Sequence, residues 1–345
     1  MTVRRLSPID DVRAKKIWSV CFGDTDAFIN EYFNTSVNFS DAFGYEENGE
    51  LTAELFVLDF QAKLAGKFMD ADFIAGCATM PEARKRGIMR ELVKKAMLNA
   101  RKCGKIAVYL HPFLHEFYRK FGFETISYVK RHTLLTKHIL NEKVKIYTSV
   151  KSLPIEKMES AYTEYMKSFD NCFLRTHKRF CDWLQLLFSD GGKAVIYDDG
   201  DIFAYGLYYE EDTTAEVFEL VACSEKAEML LQTLAVERVN YFLPAQANEA
   251  NNEEFTMMRV LDAMSMLKAA RPVNTDVILH ITDDFLNEEH NLLVRNIGNK
   301  NSVTAINAVA DLKITVSELA ALVAGADKNE HALWKTQSSC FFETY

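Results

Sequence analysis

A predicted strand joins a predicted helix through the segment Thr79-Met80-Pro81-Glu82-Ala83-Arg84-Lys85-Arg86-Gly87-Ile88-Met89-Arg90-Glu91-Leu92. Beyond Gly87 the apolar residues recur at helical spacing as far as Arg101, and three basic residues stand just before this glycine. A helix N-terminus offers unpaired N–H groups and a positive dipole, and Gly87 lets a phosphate approach the backbone. The segment therefore predicts a pyrophosphate site. A solvated basic helix start is the alternative interpretation.

The elements around this segment follow the order of a mixed α/β domain. Apolar residues at helical spacing predict two short helices between Asp10 and Phe33, and aromatic and β-branched clusters predict the strands that follow. The predicted order is then a strand over Leu51–Phe60, a strand over Lys67–Thr79, a helix over Arg86–Arg101, a strand over Lys105–Leu110, a short helix over Phe113–Phe121 and a strand over Thr125–Leu135.

The rest of the chain repeats this element order once and then opens a third region. The second copy has predicted strands at Lys193–Asp198, Ile202–Tyr209 and Ala215–Val221, followed by a helix over Glu225–Asn240. The third region opens near Met257, with a strand over Asp276–Thr282 and a capped helix start at Thr315–Leu322. The repeat is one of element order, not of residues.

Composition and charge exclude several classes of protein. A chain of 345 residues predicts two or three domains, and its net charge of −9 repels a phosphate backbone, so we expect no nucleic acid partner. No apolar run approaches the ~20 residues of a membrane helix, and the N-terminus has no signal-peptide pattern, so we expect a cytoplasmic protein without a membrane partner. The seven cysteines include no C-x-x-C pair, which favours free buried thiols over disulfides or a metal site.

A second segment, Glu116–Glu124, gives the first one its context. Together the two resemble the GNAT superfamily of acetyl-CoA-dependent N-acetyltransferases: Arg84–Met89 matches its R-x-x-G-x-G/A loop, and Cys77–Thr79 precedes this loop where the family pairs a splayed strand with pantetheine. Met89 departs from the Gly or Ala of most members and is expected to narrow the loop. The resemblance implies that acetyl-CoA is the co-substrate and is bound by Cys77, Ala78, Thr79, Arg84, Lys85, Arg86, Gly87, Ile88 and Met89.

Over the whole chain, the resemblance is to the enhanced intracellular survival (Eis) type of this superfamily. Cys21–Asp24 with Phe28–Ile29 looks like its opening helix pair, and Met258–Asp262 with Asp276–Phe285 resembles the start of its last domain. This implies an α/β (α+β) fold of tandem GNAT-type mixed sheets flanked by helices, plus a sterol-carrier-protein-like α/β C-terminal domain. The implied domains are a catalytic GNAT domain at 1–136, a degenerate GNAT-like domain at 137–254 and the sterol-carrier-protein-like domain at 255–345. A homo-oligomer, trimeric or hexameric, is also implied.

Acetyl transfer to an amine needs a deprotonated amine, a polarised carbonyl and a proton for the departing thiolate. By the resemblance, Tyr118 is the general acid that protonates the coenzyme A sulfur, whereas packed core is the alternative role for this side chain. The resemblance makes the free carboxylate of Tyr345 the base, and the apolar run Cys340–Phe342 before it is expected to dock rather than fray. His111 and His115 are alternative proton relays.

The expected acceptor is a primary amine of a small molecule or a peptide: a polyamine, an aminoglycoside or a lysine side chain. Asp24, Asp26 and Glu343, with Phe28, are predicted to line an acidic pocket for this cation, and solvated acidic loops are the alternative. In the second copy, the turn Ala222–Glu228 has neither a glycine nor a basic cluster, so it is not expected to bind acetyl-CoA.

Two other functions remain open at this point. A non-catalytic acetyl-CoA-binding sensor or assembly module would keep the coenzyme pocket without turnover, and Met89 favours this alternative. A lipid carrier built around the last domain would need an apolar cavity there. We expect the last domain to act as a packing partner that supplies the terminal carboxylate.

Overall fold

The computed structural model describes residues 2–326, 333–334 and 337–344. The strands are β1 (Thr2–Arg5), β2 (Ala42–Glu47), β3 (Glu50–Leu64), β4 (Lys67–Thr79), β5 (Ala107–Leu110), β6 (Glu124–Thr125), β7 (Tyr128–Leu135), β8 (Val144–Tyr147), β9 (Asn171–Leu174), β10 (Lys193–Asp198), β11 (Phe203–Glu211), β12 (Thr214–Val221), β13 (Arg238–Ala245), β14 (Glu253–Glu254), β15 (Met257–Val260), β16 (Val277–Asp283), β17 (Glu288–Asn296), β18 (Asn301–Ala305), β19 (Leu312–Thr315) and β20 (Ser339–Cys340). The helices are α1 (Asp11–Phe22), α2 (Asp26–Thr35), α3 (Ile88–Lys102), α4 (His115–Arg119), α5 (Ile155–Lys167), α6 (His177–Ser189), α7 (Ser224–Leu231), α8 (Ala263–Ala269) and α9 (Val316–Ala324).

Within these residues the strands form three sheets. The first follows the order β1-β2-β3-β4-β5-β15-β6, with β9 and β20 joined to it through β3. The second follows β14-β7-β13-β12-β11-β10-β8, and the third follows β18-β17-β16-β19. In the first sheet β4 and β5 are parallel and α3 connects them; in the second sheet β12 and β13 are parallel and α7 connects them. The predicted mixed α/β fold with a repeated element order is confirmed.

The repeat differs from the prediction after α7. We expected one helix over Glu225–Asn240, but the helix ends at Leu231 and β13 begins at Arg238. Val239 is fully buried between β7 and β12, and Tyr241 and Phe242 follow it. Because β-branched and aromatic side chains pack well on a pleated surface, tertiary pairing turns this stretch into a strand.

The predicted strand Thr125–Leu135 is also wrong as one element, because it is divided between two sheets. Met257–Val260 inserts between β5 and β6, where Met257 pairs with both Leu110 and Thr125. Only β6 therefore stays in the first sheet, while β7 pairs with β13 in the second. The segment that resembled the entry to a last domain thus completes the first sheet.

Helix α3 packs the predicted apolar stripe against the first sheet. Its buried residues recur three or four positions apart, which aligns them on one helix face. They are Ile88, Met89, Leu92, Val93, Ala96, Met97 and Ala100. The stripe places the N-terminus of α3, with the loop before it, at the end of β4.

The C-terminal tail, defined here as Ser339–Thr344, docks as predicted. Its first two residues form β20, which runs parallel to β9. Phe341 and Phe342 are buried, at 3% and 2% exposed, and each contributes about 1.5–3 kcal/mol by leaving water. The tail therefore connects the first sheet to the core of the second.

The seven cysteines are all free, in agreement with the sequence. They are not all buried, however, because Cys103 and Cys223 are exposed. In the part of the chain that the structure describes, every helix is too short or too polar to cross a membrane.

Candidate active site

Strands β4 and β5 diverge in the middle of the first sheet. They pair only at Asp72 with Val108 and at Phe73 with Tyr109, whereas β4 continues to Thr79. Beyond Phe73, the edge of β4 that leaves β5 is thus paired with no strand among the described residues. Backbone groups on such an edge are available to a bound ligand.

Gly76 bends β4 at this point. Its φ is +58°, and the pairing of β3 with β4 shifts register between Glu54 and Phe56 across from it. A Cβ on Gly76 would lie 2.5 Å from the Phe56 ring and 2.6 Å from the Trp18 ring. Only glycine fits both the left-handed backbone and the small space between the Phe56 and Trp18 rings, so the bend in β4 requires glycine at this position.

The predicted phosphate loop adopts a tight turn before α3. Lys85 has a φ of +63° and Gly87, the N-cap of α3, has a φ of +79°. Arg84 donates to the Thr79 carbonyl at 2.9 Å, and Arg86 forms a double hydrogen bond with Glu47 at 2.6 and 2.8 Å. Within the described residues Lys85 makes no ion pair, so its charge is available at the helix N-terminus.

Ile88 and Met89 contribute backbone groups to this loop, because both side chains are buried under α3. The expectation that Met89 narrows the loop is wrong, since its side chain packs in the core with Leu92 and Val93. The first turn of α3 keeps its unpaired N–H groups, and a Cβ on Gly87 would meet nothing within 4 Å. An anion can therefore approach the loop closely.

The central cleft, of about 600 Å³, begins where β4 leaves β5. One wall comes from the first sheet with α1 and α2, and the opposite wall comes from α6 and the second sheet. Much of the lining is aromatic: Trp18, Phe22, Phe28, Phe113, Trp183 and Phe218. Residue Thr344 of the C-terminal tail also lines the cleft.

Tyr118 and Cys77 meet in this cleft. Tyr118 lies on α4 and is 3% exposed; burial raises the pKa of its hydroxyl well above the usual range. The Cys77 thiol lines the same cleft, and burial raises its pKa to about 12, an effect that Tyr118 partly offsets. Both groups keep their protons at neutral pH. Tyr118 can therefore donate a proton, whereas Cys77 is a poor nucleophile there.

The two histidines near α4 are neutral. His111 lines the cleft, and burial, with a smaller effect from His115, lowers its pKa to about 4. Its Nδ1 has no hydrogen-bond partner among the described residues. Burial also lowers the pKa of His115. Neither ring carries a proton that it would release near neutral pH.

Among the described residues, three carboxylates line the cleft. Asp24 accepts the indole N–H of Trp18 at 2.7 Å, Asp190 accepts the Thr25 hydroxyl at 2.7 Å, and Glu216 also lies on the lining. Asp190 and Glu216 were missed by the sequence analysis, because they belong to the second half of the chain. The net charge of −9 was the one signal in the sequence that indicated additional acidic residues, and it does not say where they lie.

The other predicted acceptor residues are dispersed. Phe28 lines the cleft beside Asp24, but Asp26 is exposed in the first turn of α2 and does not line it. Glu343 is 1% exposed and forms an ion pair with Arg175 at 3.0 Å, away from the cleft surface. Tyr345 lies outside the described residues.

The first part of the chain matches a known protein family. The model of the acetyltransferase (GNAT) domain matches residues 2–126. Among curated proteins, none matches the sequence. The fold is shared with a conserved protein of unknown function from Enterococcus faecalis V583, described as a probable N-acyltransferase (16% identity, TM-score 0.80, covering 100% of this chain and 99% of that one).

Two further solved structures have the same fold. Eis1 from Mycobacterium abscessus has 15% identity and a TM-score of 0.75, and the match covers 100% of this chain and 100% of that one. A GCN5-related N-acetyltransferase from Kribbella flavida has 18% identity and a TM-score of 0.74, with coverage of 100% of this chain and 98% of that one. At these identities the likeness is one of fold, and it extends beyond the matched domain. Residues 2–126 are a GNAT acetyltransferase domain, and the chain is accordingly an acyltransferase.

Proposed function

We propose that this protein transfers an acetyl group from acetyl-CoA to a primary amine by direct attack in a ternary complex. The observation that carries the proposal is the meeting of Tyr118 and Cys77 in a cleft that starts where β4 leaves β5. The unpaired edge of β4 suits an extended pantetheine arm, and the loop Arg84–Gly87 lies at the end of the same strand for the pyrophosphate. Backbone N–H groups near Cys77 and Thr79 would polarise the thioester carbonyl.

The transfer forms a bond between the amine nitrogen and the acetyl carbon and breaks the bond from that carbon to sulfur. Tyr118 donates its proton to the departing thiolate, which leaves as coenzyme A. An alkyl ammonium with a pKa near ~10 must first lose a proton. The carboxylate of Tyr345 stays our prediction for the base, and His111, which is neutral, is the alternative relay within the cleft.

Cationic acceptors suit the cleft. Asp24, Asp190 and Glu216 supply negative charge, and aromatic rings cover the apolar part of the surface. A polyamine, an aminoglycoside or a lysine side chain of a peptide offers a primary amine together with a positive charge or an apolar stem. Because these classes share that chemistry, the proposal extends to all three.

The remaining parts of the chain have supporting roles in the proposal. The first turn of α7 carries Glu225, so a phosphate at this helix N-terminus would meet a carboxylate. We keep the domains at 1–136, 137–254 and 255–345 as proposed units, with the last one sterol-carrier-protein-like and devoted to packing. A cytoplasmic homo-oligomer is part of the same proposal.

The first test is coenzyme A release from acetyl-CoA by the full chain against polyamines, aminoglycosides and lysine peptides. Release that depends on one amine class supports the transferase and identifies its acceptor. Binding of acetyl-CoA with no release across the panel would instead favour the non-catalytic sensor. Lipid that co-purifies in stoichiometric amount would favour the lipid carrier.

A second test concerns Tyr345. A few residues added after it would displace its carboxylate, so this extension is expected to cripple release while the same residues at the N-terminus leave it intact. Equal rates for the two extended chains would remove Tyr345 from the proposed mechanism.

A further inference from the structure

A buried charge cluster lies behind the central cleft. The Arg175 side chain is 1% exposed and follows the end of β9. Its Nη1 and Nη2 atoms donate to the two carboxylate oxygens of Glu219, on β12, at 2.9 and 2.8 Å. Its Nε atom donates to Oε1 of Glu343, in the C-terminal tail, at 3.0 Å. One guanidinium therefore holds two carboxylates that are 168 and 44 positions away along the chain.

The position of Arg175 is fixed independently of the tail. The guanidinium carbon lies 4.5 Å from the Tyr162 ring centre and 4.9 Å from that of Trp183. Glu219 also accepts from the Tyr205 hydroxyl at 2.7 Å and from the Trp183 indole at 3.2 Å. A charge pair with this many partners is held rigidly, because breaking it would leave an unpaired charge in the core.

Among the described residues of this cluster, Glu343 alone belongs to the tail. The residues before it are anchored by β20 and by Phe341, whose ring lies 4.7 Å from that of Phe173. The residue after it, Thr344, lines the central cleft. Trp183 touches both the cluster and the cleft. The ion pair thus fixes the tail one residue before it reaches the cleft surface.

We propose that Arg175 is a positioning residue for acyl transfer: it clamps the tail at Glu343, so that Thr344 forms part of the wall where the amine binds. This inference rests on the proposed function. The role uses the planar fork of arginine, since two nitrogens engage Glu219 while a third, pointing elsewhere, engages Glu343. A lysine ammonium in the same position would lose one of the two partners.

The numbers of positive and negative charges in the cluster allow the role of Glu343 as an anchor of the tail to be tested apart from its contribution to the stability of the fold. Arg175 carries one positive charge against the two negative charges of Glu219 and Glu343. Neutralising Glu343 leaves the Arg175–Glu219 pair complete and removes the excess buried charge. The fold is therefore expected to tolerate this change, while the tail loses the charged part of its anchor.

The experiment compares Glu343→Gln, which keeps an acceptor oxygen without the charge, and Glu343→Leu, which keeps neither, with the wild-type chain. Tyr205→Phe is the matched control, because it removes a hydrogen bond from the same buried cluster without touching the tail. Hydrogen–deuterium exchange of the 339–344 segment measures docking. Steady-state kinetics with spermidine and with acetyl-CoA measure positioning.

We expect exchange of the tail to accelerate about fivefold in Glu343→Gln and more than about tenfold in Glu343→Leu, following the loss of a charge-assisted hydrogen bond. KM for spermidine should rise in the same order, with KM for acetyl-CoA unchanged. Arg175→Lys should resemble Glu343→Gln in both measurements. Tyr205→Phe should lower the melting temperature but leave tail exchange and both KM values unchanged.

Tail exchange that is equal in wild type and both Glu343 variants would overturn the clamp, and so would equal acceleration in Tyr205→Phe. Faster exchange with an unchanged KM for spermidine would overturn the positioning role. If the wild-type chain acetylates no amine, the proposed function fails on that observation alone. The exchange measurements then still decide whether Arg175 holds the tail.

Discussion

Asp24 accepts the indole N–H of Trp18 at 2.7 Å, and both side chains line the central cleft. Gly23, in the left-handed conformation, ends α1 just before Asp24, and Thr25 caps α2 just after it. The carboxylate is therefore held at a fixed place between two helices. At this place it faces the space that an incoming amine would enter.

Replacing Asp24 by Asn keeps the oxygen that Trp18 needs and removes only the charge. We expect KM for a polyamine to rise about five- to tenfold, because a partly desolvated charge contact contributes roughly 1–1.4 kcal/mol, while kcat changes little. Raising the salt concentration should narrow the difference from wild type. Asp26→Asn is the control, since Asp26 is exposed and does not line the cleft. Equal effects of the two substitutions would contradict a local charge effect.

Tyr118→Phe removes the proposed acid and keeps the ring. We expect kcat to fall about 100-fold or more, the usual contribution of a positioned acid, at an unchanged acetyl-CoA dissociation constant. Tyr109→Phe is the matched control, because Tyr109 is another fully buried tyrosine of the first sheet and does not line the cleft. Calorimetry and initial rates on both variants make the comparison. If Tyr118→Phe kept the wild-type kcat, Tyr118 would not be the acid, and its role would be the alternative one of packing in the core.

The pH dependence of kcat follows from three side chains in the cleft. Because burial raises the pKa of Tyr118 well above its usual range, its hydroxyl stays protonated up to a pH of about 10 and can still act as the acid. We therefore expect that kcat does not fall as the pH rises to about 10. Cys77, with a pKa of about 12, and His111, with a pKa of about 4, do not titrate across the neutral range. Only an acidic limb from the amine and its base is expected. Initial rates at saturating substrates test this, and a fall in kcat between about pH 7 and 9 would contradict it.

Gly87→Ala tests the phosphate loop. A non-glycine residue in this left-handed conformation costs about 1–2 kcal/mol, and the new methyl group would stand where a phosphate has to approach. We expect KM for acetyl-CoA to rise about tenfold, the equivalent of roughly 1.4 kcal/mol. Gly104→Ala is the control, because Gly104 has a φ of +82° with equally open surroundings, at the other end of α3. Both variants should lose similar stability, and only Gly87→Ala should weaken acetyl-CoA binding.

The sequence predicted those parts of the site that depend on neighbours along the chain. The loop before α3, the apolar stripe beneath it and the short helix over Tyr118 rest on local spacing and on one glycine, whereas the acid role of Tyr118 is implied by the family resemblance alone. The same locality explains the errors. Glu343 looked like a pocket residue because its partner, Arg175, is 168 positions away in sequence, and the second-half carboxylates reach the cleft only through folding.

Glu54 is the plainest example of a feature that no spacing rule reveals. It lies on β3 opposite Ala78 of β4 and is 0% exposed, and neither of its carboxylate oxygens has a hydrogen-bond partner among the described residues. Burial raises the pKa of this carboxyl well above its usual range. The folded chain therefore binds this proton more tightly than the unfolded chain does.

The raised pKa of Glu54 makes the folded chain less stable as the pH rises. Stability from Glu54 is fully present below the pKa that this group has in the unfolded chain and is lost as the pH rises toward the raised value in the folded chain. Glu54→Leu should remove this loss of stability with rising pH. It should also remove the cost of a buried polar group without a hydrogen bond, roughly 1–3 kcal/mol, so we expect the variant to be more stable than wild type at neutral pH. Denaturant unfolding near pH 5 and pH 8 measures both effects, with Glu50→Gln at an exposed position of β3 as the control. A variant that is less stable than wild type at the higher pH would mean that the buried carboxyl has a partner in solution, such as an ordered water, that offsets its burial.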